Sequence, residues 1–229
     1  MRSRQQRNLV FVGSFIVLAV LAAIAVIWMS SSGGTSDSID YGAIPQSRTE
    51  DGGFVLGSED APVTIVEFAD FICSHCQEYQ EVVHRIIRDF VATGKARFEY
   101  RLYPIVHPQL SPYSAGLAEC ADQLAPGAFW PAHDLLYILA SKGGYDTMAS
   151  VAATQLHLNY SDLVACTGSA HQYETDYQLG QQAGVSGTPA VRVRYADGQL
   201  TSITVNGQSY DRGGPPYSVI AQVINAANS

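Results

Sequence analysis

Two cysteines three positions apart, placed where a predicted strand gives way to a predicted helix, constrain this chain most strongly. Residues 63–66 form an apolar, β-branched run after Pro62, which is typical of a short buried strand. After the cysteines, apolar residues recur at helical spacing: Val82, Val83, Ile86, Ile87, Phe90 and Val91. Cys73 and Cys76 are therefore predicted at a helix N-terminus, where free N–H groups and the helix dipole favour an anion such as a thiolate. A lowered thiol pKa would make Cys73 nucleophilic, and Cys76 could close a disulfide with it, so the pair is predicted to be a redox dithiol.

The N-terminal region predicts a membrane anchor. Residues 9–29 carry no charge. The length of this segment is close to the roughly 20 residues that a helix needs to cross a bilayer. Three arginines lie in residues 1–8 and no further Lys or Arg occurs before Arg48, so the positive-inside rule places the N-terminus in the cytoplasm and the rest outside. The alternative is a cleaved signal peptide, because Ala23–Ala25 resembles a small-x-small cleavage site. The apolar run continues through Val26–Met29, which favours the uncleaved anchor.

The rest of the chain is acidic and contains all the cysteines. The formal net charge is −8, and all 21 acidic residues follow the predicted anchor. This balance argues against nucleic acid or anionic lipid as a partner. Four cysteines in an exported domain agree with an oxidising compartment.

Periodicity along the chain predicts an α/β domain. Residues 30–53 are rich in Ser, Gly, Asp and Thr and predict a flexible tether, followed by the domain proper at 54–229. The predicted strands are an edge strand at 54–58, then 63–66, 96–103, 190–195 and 200–205, the last two joined by an Asp-Gly turn. A helical block fills about 104–184, and a last helix follows Pro215. The order β-α-β, helices, β-β-α predicts a central mixed sheet flanked by helices.

This order resembles the thioredoxin fold. The residues that carry the resemblance are Cys-Ser-His-Cys at 73–76 and Val-Ser-Gly-Thr-Pro at 185–189. The helical insertion makes the chain similar to the DsbA-like thioredoxin family of exported thiol–disulfide oxidoreductases, and residues 61–71 are similar to the usual lead-in of that family. The resemblance covers about Phe54 to the C-terminus. Two departures leave the direction of the redox reaction open: Ser74 stands where DsbA-type oxidases carry Pro, and Thr188 is more like the isomerase branch.

Roles are predicted for the two cysteines of the dithiol and for two residues near them. Cys73 is predicted to be an exposed attacking thiol and Cys76 a buried resolving thiol. His75 could donate a hydrogen bond to the Cys73 thiolate and so make the disulfide a stronger oxidant. Glu67 lies on the preceding strand, where a buried carboxylate with a raised pKa could exchange a proton with Cys76. Relatives with this fold often carry an acid at the matching place; the alternative is an exposed strand glutamate.

The resemblance also implies a substrate-binding element. Pro189 would be a cis proline facing the dithiol, and the backbone of Thr188 would pair with a bound substrate strand. The alternative is an ordinary trans proline at the start of a strand.

Two further cysteines fall in the helical block. Cys120 and Cys166 are forty-six positions apart, and a structural disulfide joining two helices accounts for them better than a second redox pair. C-x-x-C can also clamp zinc, but zinc needs four ligands and the other cysteines show no paired spacing, so no metal is expected.

The predicted function is the introduction of disulfide bonds into exported proteins with reduced cysteines. The redox-active Cys73–Cys76 disulfide is expected to serve without another cofactor. A membrane quinone-linked partner of the DsbB or vitamin K epoxide reductase type would reoxidise it, and the protein is expected to be a monomer. The alternatives are a reductase or isomerase kept reduced by a membrane electron donor, and a non-catalytic binding module.

Overall fold

A six-stranded mixed sheet forms the centre of the computed structural model, which describes residues 38–196 and 198–229. The strand order is β1-β2-β4-β3-β5-β6, and β3 and β4 are the parallel pair among antiparallel neighbours. The strands are β1 (Gln46–Arg48), β2 (Phe54–Leu56), β3 (Thr64–Ala69), β4 (Arg97–Leu102), β5 (Ala190–Arg194) and β6 (Leu200–Ser202). Every residue of β3 is buried, as expected for a central strand covered on both faces.

Helices cover both faces of the sheet. Helix α1 (Ser74–Ile86) continues into a π-helical turn at Ile87–Val91. The helices that follow are α2 (Leu110–Leu124), α3 (Phe129–Ser141), α4 (Met148–Gln155), α5 (Tyr160–Thr167), α6 (Gln172–Gln182) and α7 (Tyr217–Ala227), with a short 3₁₀ turn at Tyr145–Thr147. Helices α2 to α6 occupy the region where the sequence predicts a helical insertion.

The alternation of β3 separates two cores. Ile65 and Ala69 contribute to a large core together with buried residues of α1, α3 and α7. Val66 and Phe68 point to the opposite face and join a smaller core that includes residues beside α6. Because successive strand residues point to opposite faces, Glu67 lies on the side of the large core, beneath α1.

The domain begins earlier than the predicted boundary at residue 54. The folded unit starts at Ile39, with a 3₁₀ turn at Tyr41–Ala43 and strand β1 paired antiparallel to β2. Tyr41 and Ile44 are buried, so the end of the segment predicted as a tether packs as part of the domain. Since β1 covers its free side, β2 is also not the edge strand that the sequence predicts.

The C-terminal β segment is shorter than predicted. Strand β6 ends at Ser202, and β7 (Thr204–Val205) instead pairs with β8 (Gln208–Ser209) in a separate two-stranded sheet. Asn206 and Gly207 between them both have positive φ, at 52° and 78°, which makes a tight two-residue hairpin turn. The single strand predicted at 200–205 is thus divided at Ile203, and its last two residues belong to this hairpin.

The predicted N-terminal segments, residues 1–8 and 9–29, lie outside the described residues, as does the tether before residue 38. Within residues 38–196 and 198–229, no helix has the length and apolar character needed to span a bilayer.

Candidate active site

Cys73 lies between the end of β3 and the start of α1. It is the N-cap residue of α1: its N–H donates to the Asp70 carbonyl oxygen at 3.1 Å, and its carbonyl accepts from the Gln77 N–H at 3.0 Å. Its side chain is 6% exposed, and that of Cys76 is fully buried. Cys73 is therefore more covered than predicted, because its sulfur packs 3.4 Å from the Thr188 carbonyl oxygen. Both thiols are free.

The surroundings of Cys73 favour its thiolate. Its pKa is lowered to about 5, first by a hydrogen bond from the Cys76 thiol. Burial opposes the shift, while the Thr188 side chain and the backbone groups of Cys76 and His75 add to it. Donors aimed at a thiolate favour its charged form, so Cys73 is ionised at neutral pH.

Cys76 has the opposite character. Burial raises its pKa far above the ordinary value, and its role as donor to Cys73 and the nearby Glu67 charge raise it further. The backbone of Asp70 offers a weaker, opposing hydrogen bond. A thiol that stays protonated next to a thiolate is a poor nucleophile until its proton is removed, so the two sulfurs have distinct chemical roles.

Glu67 lies beneath the dithiol. Its side chain is completely buried, and within the described residues neither of its carboxylate oxygens has a hydrogen-bond partner. Burial raises the pKa of Glu67 to about 8, and the negative charge of Cys73 contributes. The alternative of an exposed strand glutamate does not apply, because β3 is the central strand. A carboxyl that titrates near neutral pH and couples electrostatically to both sulfurs is suited to proton transfer.

His75 is placed differently from its predicted role. It is exposed on the first turn of α1, and its ring has no hydrogen-bond partner among residues 38–196 and 198–229. The backbone of His75, not its imidazole, contributes to the low Cys73 pKa.

The Thr188–Pro189 peptide bond is cis and faces the dithiol. It precedes β5, and the Thr188 carbonyl oxygen contacts the Cys73 sulfur. The structure thus brings together Cys73, Cys76, Glu67 and the Thr188–Pro189 turn from three separate parts of the chain.

The other two cysteines lie apart from this site. Cys120 of α2 and Cys166 of α5 form a disulfide with a Cα–Cα distance of 5.8 Å. Across the described part of the chain, no group of three or more His, Cys, Asp or Glu residues is arranged to hold a metal ion.

Asp70 is a site residue that the sequence reasoning missed. It is buried, and its Oδ2 accepts from the N–H groups of Ile105 and Val106 at 2.9 Å each, while Oδ1 accepts from Ile72 N–H at 2.9 Å. It therefore joins the loop that carries Cys73 to the loop after β4. Ile105 and Val106 are 42% and 49% exposed, so this contact presents two aliphatic side chains at the surface. A carboxylate directly after a buried apolar strand is the sequence pattern that could have indicated a buried, hydrogen-bonded Asp70.

Comparison with known proteins agrees with this geometry. A family model described as thioredoxin matches residues 49–201. The chain belongs to the thioredoxin family. The predicted thioredoxin-like fold of the domain and its membership of this family are confirmed.

Three relatives illustrate the likeness of this thioredoxin-family chain. It is 31% identical over 161 residues to Na(+)/H(+) antiporter NhaA 3 of Salinispora tropica, covering 68% of this chain and 23% of the antiporter. It is 26% identical over 154 residues to disulfide bond formation protein D of Bacillus subtilis, covering 61% of this chain and 66% of that protein. The crystal structure of Wolbachia pipientis alpha-DsbA1 superposes with a TM-score of 0.63 at 19% identity, covering 76% of this chain and 90% of that one. The chain thus spans about a quarter of the length of the antiporter.

Proposed function

We propose that this chain is a membrane-anchored, extracytoplasmic thiol–disulfide oxidoreductase that introduces disulfide bonds into exported proteins through Cys73 and Cys76. The observation that carries the proposal is the different acidity of the two thiols. A hydrogen bond from the Cys76 thiol is the largest cause that lowers the pKa of Cys73 to about 5, and burial is the largest cause that raises the pKa of Cys76. The Bacillus relative that is named for disulfide bond formation supports the same chemistry.

The stabilised thiolate supports the oxidising direction. Groups that lower the pKa of Cys73 stabilise the reduced dithiol relative to the disulfide. Each lowered pKa unit is worth about 1.4 kcal/mol, which corresponds to about 30 mV for a two-electron couple. A disulfide whose reduced form is stabilised in this way is a strong oxidant, which favours oxidation of clients over their reduction.

The reaction begins with a client thiolate that attacks the Cys73 sulfur of the Cys73–Cys76 disulfide. The bond between the two enzyme sulfurs breaks, a client–Cys73 disulfide forms, and Cys76 leaves and takes the proton of Glu67. A second client thiolate then attacks the client sulfur, and Cys73 leaves as a stabilised thiolate. The client has lost two electrons and the dithiol has gained two. The cis Thr188–Pro189 turn would hold the client segment by backbone pairing.

The location and the recycling partner belong to the same proposal. The uncharged residues 9–29 after three arginines support a single membrane span with its N-terminus in the cytoplasm. The Cys120–Cys166 disulfide supports an oxidising compartment. Because each cycle leaves the dithiol reduced, a quinone-linked membrane protein of the DsbB or vitamin K epoxide reductase type would remove the two electrons. A shared membrane would raise the encounter rate of the two proteins.

A redox titration of the full chain against glutathione tests the direction. We expect a reduction potential above about −200 mV and rapid oxidation of a reduced, unfolded test protein. A potential well below this value would favour the reductase or isomerase alternative. The presence of Thr188 before Pro189, which is more like the isomerase branch, is consistent with that alternative. The Cys73→Ser variant is the control, and equal oxidation of the test protein by this variant would contradict an enzymatic role and leave only a binding module.

A further inference from the structure

The segment that leads into α7, residues 211–215, passes beside the cis Thr188–Pro189 turn. Gly213 forms a parallel β-bridge with Ala190, the residue directly after the cis proline. Two positions later, the Pro215 carbonyl oxygen accepts from the Tyr79 hydroxyl of α1 at 2.8 Å. The segment is therefore attached to both β5 and α1, the elements that meet at the dithiol.

The backbone on either side of Arg212 is held in place. A Cβ at position 214 would overlap the Tyr79 ring, so Gly214 packs directly on α1. On the other side, the Arg192 guanidinium donates to the Asp211 carbonyl oxygen at 3.3 Å. Arg212 therefore starts from a fixed backbone position at the rim of the dithiol site.

The guanidinium of Arg212 is exposed and lies beside the turn. Its Nη2 would be 3.9 Å from a Cβ at Gly187, the residue directly before Thr188. Apart from the two chain neighbours of Gly187, no other heavy atom of the described residues comes within 4 Å of that position. This face of the turn is thus open, with a positive charge at its border.

The charge of Arg212 is available to a ligand. In the described part of the chain, its guanidinium takes part in no hydrogen bond or ion pair. The adjacent Asp211 carboxylate is engaged by the hydroxyls of Ser202 and Ser209 and interacts with the charge of Arg192. Arg212 is also not among the groups that lower the pKa of Cys73. A free guanidinium is well suited to bind a carboxylate through paired N–H donors.

We propose that Arg212 is a specificity-determining residue that binds the carboxylate of an acidic residue close to the cysteine of the client. This rests on the proposed function and adds the class of client segment, with Asp or Glu near the cysteine favoured over Lys or Arg. A client segment paired with the backbone before Pro189 lies next to Gly187 and therefore next to this guanidinium. The contact belongs to the client–Cys73 mixed disulfide, which is the same species whether the client is oxidised or reduced.

The test uses the reduced full chain and peptides that carry a single cysteine as its thiopyridyl disulfide. The Cys73 thiolate attacks the peptide sulfur, the peptide–Cys73 disulfide forms, and the pyridinethiolate leaves and is followed by its absorbance. Cys76 then displaces the peptide thiol and closes the enzyme disulfide, so each chain reacts once. Each pair of peptides differs by Asp or Lys at one position, and the pairs cover the positions on both sides of the cysteine.

The quantity compared between protein variants is the ratio of the rate constants for the Asp and Lys peptides. Differences in the intrinsic reactivity of the peptides are the same for every variant. A change in the acidity of Cys73 affects both peptides alike, because both meet the same sulfur. A change in the ratio therefore reports recognition of the charge on the peptide.

We expect Arg212→Gln to lower the Asp-to-Lys ratio roughly fivefold at low salt at the position that meets the guanidinium, since one exposed attraction and one exposed repulsion are lost. Arg212→Glu should lower it further, and about 1 M salt should remove most of the effect. Arg85→Gln is the matched control, because it removes the same charge from an exposed guanidinium that lies over the Tyr217 ring instead. It should change the ratio by less than about twofold.

An unchanged ratio in Arg212→Gln at every position, or an equal fall in Arg85→Gln, would overturn the inference. Either result would leave the proposed oxidoreductase function intact, provided that the peptides react. Failure of Cys73 to react with any peptide would contradict that function and this inference together.

Discussion

The carbonyl oxygen of Thr188 lies 3.4 Å from the sulfur of Cys73, although 115 positions separate them in the chain. The contact arises because β3 and β5 are antiparallel neighbours in the sheet. The last residues of β3 therefore lie beside the first residues of β5, at the same end of the two strands. The attacking sulfur and the turn proposed to bind the client are thus held together by the central strands.

The Cys76 thiol should control the acidity of Cys73. It is the largest single cause of the low Cys73 pKa, so Cys76→Ala should raise that pKa above its value of about 5. Alkylation rates of the reduced protein as a function of pH give the value directly. Cys76→Ser retains an O–H donor and should raise it less. A wild-type titration midpoint close to that of free cysteine would contradict the thiolate assignment.

Glu67 should make the fold less stable as the pH rises. Its pKa in the folded protein is raised from 4.5 to about 8 by burial, so between these values the unfolded chain has released a proton that the folded chain still holds. Stability therefore falls as pH increases from about 4.5 to about 8. Glu67→Gln removes this dependence. Urea denaturation at several pH values should show the difference between wild type and variant growing in favour of the variant across that window, by roughly a few kcal/mol.

A constant difference between the two proteins over this range would mean that Glu67 does not carry a raised pKa in the folded state. Because glutamine also places an unpaired amide in the same buried site, the absolute stability of the variant is less informative than its slope with pH.

The Asp70 carboxylate should hold the loop after β4 in place. Asp70→Ala leaves the N–H groups of Ile105 and Val106 without their acceptor, and removal of hydrogen bonds to a charged group should cost about 2–4 kcal/mol of stability. Amide hydrogen exchange should become faster at these two residues. Unchanged exchange there would show that Asp70 does not order this loop. The control is Asp122→Ala, which removes a carboxylate that accepts from the Gly127 N–H and from Arg48 instead.

The disulfide between α2 and α5 should act on stability alone. Removal of the Cys120–Cys166 bridge by the double change to Ala should lower the free energy of unfolding by about 4 kcal/mol, the loop-entropy value for its 46-residue separation. Denaturation curves measure this loss. Oxidation of the test protein should persist below the new unfolding transition, and its complete loss in the folded variant would indicate instead that this pair relays electrons.

Local patterns account for the parts of the site that sequence could predict. The β-branched run before Cys73 and the helical spacing after it are both visible within a short window, so the strand, the helix and the position of both thiols follow from nearby residues. The alternation of β3 likewise indicates a buried side for Glu67. The early start of the domain was harder to predict, because β1 is three residues long and the burial of Tyr41 depends partly on its bond to Asp134, 93 positions away.

Contacts between distant segments account for what sequence could not predict. The carboxylate of Asp70 finds its partners 35 and 36 positions later, and the hydrogen bond between the Tyr100 and Tyr137 hydroxyls joins a strand to a helix of the insertion. The spacing of these residues along the sequence does not predict that they form pairs. For His75, adjacency to the cysteines predicts a hydrogen bond from its ring to the Cys73 sulfur, whereas the structure shows the side chain exposed and the His75 backbone contributing to the low Cys73 pKa.

The bridge between Cys120 and Cys166 has a consequence for the maturation of the protein. A newly made chain with both thiols reduced lacks this cross-link, so its helical layer is easier to open until an oxidant has acted. The domain would thus gain its full resistance to unfolding only in surroundings that favour the very bond it is proposed to make in others.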